Sequence, residues 1–198
     1  MAESVSLNSR ARETHEDVGA LRDENEILRT TLADMRARVE ELERLADSDT
    51  LTPLPNRRFF VRALSRVLAH VARHGTPAVA MFVDLDGLKA INDRHGHGAG
   101  DAALIHVANL LREHIRVTDV VARIGGDEFG LLLDQLDEGD AERKARSLEQ
   151  LIEENPLELK GSKLPLAVSI GSTMLLADDS TESALARADA RMYGTKRS

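Results

Sequence analysis

From His15 to about Ala46 the chain places apolar residues alternately three and four apart, with no proline and one glycine. That spacing matches the seam of a coiled coil. With Val18 at heptad position a, Val18, Asn25, Leu32, Val39 and Ala46 fall at a, and Leu21, Leu28, Met35 and Leu42 at d. The one polar seam residue, Asn25, is the type that pairs with its symmetry mate and sets the register of a parallel dimer, at some cost in stability. The flanking charges agree, because Asp17/Arg22, Glu24/Arg29 and Arg38/Glu43 are opposite-sign g-to-e′ pairs, with only Thr31/Arg36 neutral. The plainer alternative is one amphipathic helix lying on a globular domain. Helical from Val18 to Ala46, the segment spans on the order of 43 Å at 1.5 Å per residue. Residues 1–14, which lack the pattern, are expected to be disordered, 15–47 to form the stalk, and 48–198 a globular domain.

Pro53 and Pro55 in "ADSDTLTPLPNRR" disfavour helix and mark a linker. Beyond it, "RRFFVRALSRVLAHVARHG" predicts a helix closed by glycine, and "AVAMFVD" a buried strand ending at Asp84. "GAGDAALIHVANLLREHI" and "GDAERKARSLEQLIEEN" predict helices, "VVARI" and "EFGLLL" the arms of a hairpin, "LPLAVSIGSTM" a strand and "TESALARADARMYGTK" a last helix. An antiparallel hairpin within this mixed order points to an α+β fold, a single sheet with helices packed on it.

Composition narrows the partners. A net charge of −8 disfavours unspecific attraction to nucleic acid or anionic lipid, and the absence of cysteine excludes disulfides and thiolate metal sites. No apolar run approaches the ~20 residues that span a bilayer, and the polar start lacks a signal peptide's apolar core. The expectation is a cytoplasmic protein without nucleic-acid binding or membrane insertion.

Two acidic places carry the candidate chemistry. Asp84 ends one strand, and Asp127 and Glu128 sit in the turn of the hairpin. A sheet pairing these strands would gather carboxylates that repel one another unless a hard divalent cation compensates, and oxygen ligands suit Mg²⁺ with substrate phosphates in its shell. The plainer readings are a Gly-rich turn with solvated acids and, for "DLDG", a strand end followed by an Asp helix cap. Leu88 at the third ligand position argues against an EF-hand. In "NDRHGHGAGD", Asn92 and Asp101 flank a Gly-rich corner that can hold a flat base, and a carboxylate there accepts guanine's adjacent N–H donors. His95 and His97 lack a metal-site framework around them and read as turn or surface residues.

Together these pieces resemble the GGDEF family of diguanylate cyclases. The signature stands as Gly125, Gly126, Asp127, Glu128, Phe129, preceded by "DTLTPLPNRRFF" and "FVDLDGLKAINDRHGHGAGD" and followed by "ADARMYGTKR", in the family's order. The resemblance covers residues 48–197. It implies a palm-like fold related to the class III nucleotidyl cyclases, a mostly antiparallel sheet flanked by helices. It also implies condensation of two GTP into cyclic di-GMP and two pyrophosphates across a homodimer. By position, Asp84, the Leu85 carbonyl, Asp127 and Glu128 would hold Mg²⁺ or Mn²⁺, and Asn92 with Asp101 would read guanine. Lys89 and Lys196 would contact phosphate oxygens. Asp127 and Lys89 are the candidate catalytic residues, with Asp127 either a base or a metal ligand. "RVTD" matches the family's inhibitory product site, with Arg116 and Asp119 as receptor for cyclic di-GMP, against the plainer reading of an exposed pair at a helix end.

The chain departs from the pattern in places. Pro53 replaces a usual glycine and is expected to stiffen the joint. Gly87 and Leu88 stand where many members have a larger residue followed by Phe. The family's phosphate-binding Arg would lie four residues beyond Lys196, past Ser198, so either the sequence is truncated there or a nearby residue such as Arg197 substitutes. A rival from another class is a catalytically silent GTP or cyclic di-GMP receptor signalling through its stalk, and a class III mononucleotide cyclase is more distant.

Overall fold

The computed structural model describes the backbone of residues 2–187 and the side chains from residue 24 onward, Arg44 excepted. The chain divides at Ala46 into two compact units. The first is α1 (Ala2–Asp47), helical well before the His15 boundary set by the apolar pattern, there being no proline ahead of Pro53 to stop it. Leu28, Leu32, Met35, Val39 and Leu42 of the heptad are all exposed, Leu28 by 59% and Met35 by 64%. The side chains of Val18, Leu21 and the Asp17/Arg22 pair lie outside the described residues. No helix among the described residues is long and apolar enough to cross a membrane.

The second unit is built on one antiparallel sheet in the order β2-β3-β1-β6, from β1 (Ala78–Leu85), β2 (Val120–Arg123), β3 (Glu128–Asp134) and β6 (Val168–Met174). It is an α+β fold, as the element order predicts. β1 lies second from one edge and is buried at all eight positions, which explains its unbroken apolar run. Odd positions Val79, Met81, Val83 and Leu85 join the core formed with α3 (Leu88–His95), α4 (His97–Glu113) and α5 (Glu138–Glu154). Even positions Ala78, Ala80 and Phe82 join the second core, with α2 (Arg57–His74) and Ala184 of the helical residues 181–187. Phe60 of α2 meets Phe82 edge-on at 5.9 Å, and Gly130 leaves room for the same ring, since a Cβ there would sit 2.7 Å from it. Phe60→Ala is expected to cost about 3–5 kcal/mol.

Caps set the helix ends. The Asn56 carboxamide accepts from Phe59 N–H at 3.2 Å, and Gly75 closes α2 at φ 67°. The carboxylate of Asp137 accepts from Asp140 N–H at 2.7 Å and starts α5.

One expectation is corrected. "LPLAVSIGSTM" is not a single strand: Leu164 ends β5 (Ser162–Leu164), which forms a small separate hairpin with β4 (Leu157–Leu159), and β6 starts only at Val168. Pro165, with no amide to donate, separates them.

Candidate functional site

The signature turn joins β2 to β3. Glu128 opens β3 directly opposite Asp84 of β1, so the two carboxylates leave the same face of the sheet with Cβ atoms roughly 5 Å apart. Asp84 is 5% exposed, while Asp127 and Glu128 are half-buried. Leu85 N–H donates to the Asp127 carbonyl at 3.0 Å, extending the pairing into the turn. The Glu128 carbonyl accepts from Ile124 N–H and Gly125 N–H at 2.9 and 3.2 Å and closes it. The Glu128 side chain folds over Gly125, where a Cβ would lie 2.3 Å from Glu128 Oε2. Asp84 and Glu128 thus stand opposite each other at one end of the sheet, with Asp127 in the adjoining turn.

No three His, Cys, Asp or Glu side chains among the described residues form a group that could enclose a metal by themselves. Asp84, Asp127 and Glu128 with the Leu85 carbonyl make an oxygen-only, incomplete set, which fits a hard cation that keeps waters and substrate phosphates in its shell.

Past β1 the chain turns through Gly87, at φ 70°, directly into α3. Asp86 does not cap this helix; both its carboxylate oxygens accept from the Ser169 hydroxyl, at 3.0 and 3.1 Å. Lys89 is exposed on the first turn of α3, and Asn92, three residues on, shares its side of the helix. α3 meets α4 at Gly96, φ 84°, and Gly100 of α4 packs against Asn92 so closely that a Cβ would lie 2.0 Å from Asn92 Oδ1. Leu88 crowds the same spot, its Cδ1 lying 3.1 Å from where that Cβ would stand. Asn92 Oδ1 is buried with no hydrogen-bond partner among the described residues. Asp101, the next residue after Gly100, is exposed at the start of the second turn of α4. The structure brings Asn92 and the start of Asp101's helix into one corner. Lys196 and Arg197 lie outside the described residues.

Arg116 and Asp119 stand in the turn before β2. Asp119 accepts from Arg116 N–H at 3.0 Å and from Asp134 N–H at 3.4 Å, so it orders the turn, while the Arg116 side chain is exposed. The two side chains make no ion pair with each other, and both line a cleft of about 470 Å³ walled by Pro53, Pro55 and Phe59.

Two residues outside the candidate set hold the signature turn. Asp49 accepts from Thr52 N–H and Thr52 Oγ1, both at 2.8 Å, and pairs with Arg123 of β2. Burial alone would raise the Asp49 carboxyl, but the Thr52 N–H, its hydroxyl and the Arg123 guanidinium outweigh it and hold the group below the usual range. Arg123 N–H donates to the Pro55 carbonyl at 2.9 Å, and Arg57 donates to the Ile124 carbonyl at 3.2 Å. The signal was available, since Asp49 lies in "DTLTPLPNRRFF" and Arg123 stands two residues before Gly125.

A family profile described as diguanylate cyclase, GGDEF domain, matches residues 46–198. The chain belongs to the GGDEF family of diguanylate cyclases. It is 40% identical over 185 residues to diguanylate cyclase TpbB of Pseudomonas aeruginosa strain UCBPP-PA14, covering 92% of this chain and 42% of TpbB. The chain therefore spans less than half the length of that relative. A solved structure comprising only the GGDEF domain of P. aeruginosa TpbB matches with a TM-score of 0.71 and 41% identity, over 75% of this chain and 88% of that one. The coiled coil and GGDEF domain of DgcB from Caulobacter crescentus, solved in complex with c-di-GMP, matches with a TM-score of 0.75 and 28% identity, over 85% and 90%. In this GGDEF domain, the family signature places Asp127 in the turn and Glu128 at the start of β3, opposite Asp84.

Proposed function

We propose that the chain is a diguanylate cyclase that condenses two GTP into cyclic di-GMP and two pyrophosphates, each of two domains holding one GTP and α1 holding the domains as a homodimer. The observation that carries this reading is the direct opposition of Asp84 and Glu128 at the sheet end, with Asp127 in the adjoining turn and α3 following at once. Asp84, Asp127, Glu128 and the Leu85 carbonyl would hold Mg²⁺, which when bound lowers the pKa of the ribose 3′-hydroxyl and offsets charge on the phosphates. Lys89 supplies a point charge for phosphate oxygens from the exposed side of α3, and Lys196 is assigned the same role. Asn92 and Asp101 read guanine: the carboxylate accepts from the two N–H donors of the base, and Asn92 Oδ1 gains the partner it lacks among the described residues.

Each domain supplies half of the reacting pair, so the encounter of two 3′-hydroxyls with two α-phosphates depends on the stalk. The exposed heptad residues Leu28, Leu32, Met35, Val39 and Leu42 support a parallel coiled coil, which makes that encounter effectively intramolecular. Arg116, exposed in its cleft, is assigned the binding of product as a feedback inhibitor. GTP as the substrate implies a cytoplasmic reaction.

Chromatographic identification of the product from GTP and Mg²⁺, with initial rates over a wide range of protein concentration, tests the proposal. Cyclic di-GMP at constant specific activity is the expected result. Specific activity falling on dilution would remove α1 as the dimer clamp. Absence of turnover beside tight cyclic di-GMP binding would replace the enzyme by a receptor.

A further inference from the structure

The β4–β5 hairpin turns in two residues, Lys160 at φ 50° and Gly161 at φ 80°. Both are left-handed, the geometry of a tight hairpin turn whose first position favours Asn, Asp or Gly. A lysine there is conformationally unfavourable, and unfavourable backbone choices cluster where a side chain has work to do. Lys160 faces a cavity of about 540 Å³, lined also by Lys163 of β5 and by Arg94 and His95 at the end of α3, with Leu159 and Leu164 as apolar wall. Arg94, Lys160 and Lys163 make no ion pair among the described residues. Glu158, opposite Lys163 across the hairpin, makes none with it either.

The chain's net charge is −8, so its cations have abundant acidic partners to choose from. Three cations and a histidine around one cavity, with no ion pair to the cations among the described residues, form a local positive field against that background. The guanidinium offers a planar fork and the two ammonium groups offer compact, rotatable donors, a set suited to several phosphate oxygens at once. The volume falls within the range of small-ligand sites.

We propose that this cavity binds a small polyphosphate anion, either free pyrophosphate or the phosphate chain of a nucleotide, through Arg94, Lys160 and Lys163. The site is separate from the carboxylate cluster and does not rest on the cyclase reading. Its second element is the helix that carries Lys89 and Asn92, so an anion bound there loads the end of that same helix.

The test is calorimetric titration of the full chain with inorganic pyrophosphate, without divalent cations, repeated with GDP. Salt-sensitive binding to the wild type is expected, weakened about tenfold or more by the double substitution Lys160→Asn, Lys163→Gln. Lys160→Asn alone is expected to leave the melting temperature unchanged or raise it, because Asn adopts the left-handed turn more readily, while affinity falls. A purely structural lysine would not separate those two readouts. GDP binding at least as strongly as pyrophosphate would assign the nucleotide, and weaker GDP binding the free anion. The proposal is overturned by absent wild-type binding, or by binding that survives the double substitution and disappears in Lys89→Ala or Arg116→Ala.

Discussion

Arg123 pairs with Asp49 at 3.2 Å, and the other terminal nitrogen of its guanidinium donates to the Gly126 carbonyl at 2.7 Å. One side chain thus ties the linker turn after α1 to the signature turn. Arg123→Ala removes both links from a poorly exposed pair and is expected to cost about 2 kcal/mol. Urea denaturation of Arg123→Ala, Asp49→Ala and the double variant checks it, and additive effects would show that the pair is not coupled. The lowered Asp49 carboxyl gives stability that is fully present above the ordinary Asp range and lost as pH falls through its depressed value. Asp49→Asn should therefore flatten the acid limb of the stability profile below about pH 4.

Gly100 leaves no room for a side chain beside Asn92, its hypothetical Cβ lying 2.0 Å from Oδ1. Gly100→Ala is expected to push the Asn92 amide out of place and raise KM for GTP by roughly tenfold or more. Steady-state kinetics beside thermal melting reads the effect. Unchanged KM would separate Asn92 from substrate recognition.

Asp127→Asn keeps the shape of the turn and removes a charge from the oxygen set. Turnover should fall at least about a hundredfold with circular dichroism unchanged. A rate near wild type would end the assignment of Asp127 to the reaction.

Arg116→Ala, with its side chain exposed in the cleft, should weaken product inhibition about tenfold or more without lowering the initial rate. Progress curves with added cyclic di-GMP measure it. Asp119 is the poorer test, because its carboxylate also orders the turn through Arg116 N–H and Asp134 N–H.

Burial pushes the Glu149 carboxyl up; its bond from Ile170 N–H opposes this, and the nearby Glu153 and Asp86 charges add to it. A raised folded-state pKa favours the fold below the ordinary Glu range, and that contribution is lost as pH rises through the raised value. Glu149→Gln keeps an acceptor for Ile170 and removes the charge. It is expected to be as stable as the parent or more stable at neutral pH, with no advantage in acid. Denaturation midpoints at two pH values decide it, and loss of stability at neutral pH would mean the charge itself is needed.

Local patterns made much of the domain legible. The run "AVAMFVD" read as a buried strand because β1 is covered on both faces, and Gly75 marked the end of α2 because a left-handed residue was required there. The nearness of Asp84 to the start of β3 was legible as soon as the two strands were taken as neighbours. The β4–β5 hairpin was not, because three-residue strands leave too short an alternation to read and its turn begins with a lysine. Asp49 and Arg123 stood inside or beside recognisable motifs, yet their pairing spans 74 residues and has no local signature.

By itself the sequence determined most of the element types, the heptad of α1, the family and the inventory of acids and bases, since each depends on residues within a few positions of one another. Only the tertiary structure decided that Glu128 stands opposite Asp84, that Gly100 presses on Asn92, and that Arg94, Lys160 and Lys163 surround one cavity. Those relationships depend on strand register and on packing between distant segments, which are set by how the whole core closes rather than by any one stretch of chain.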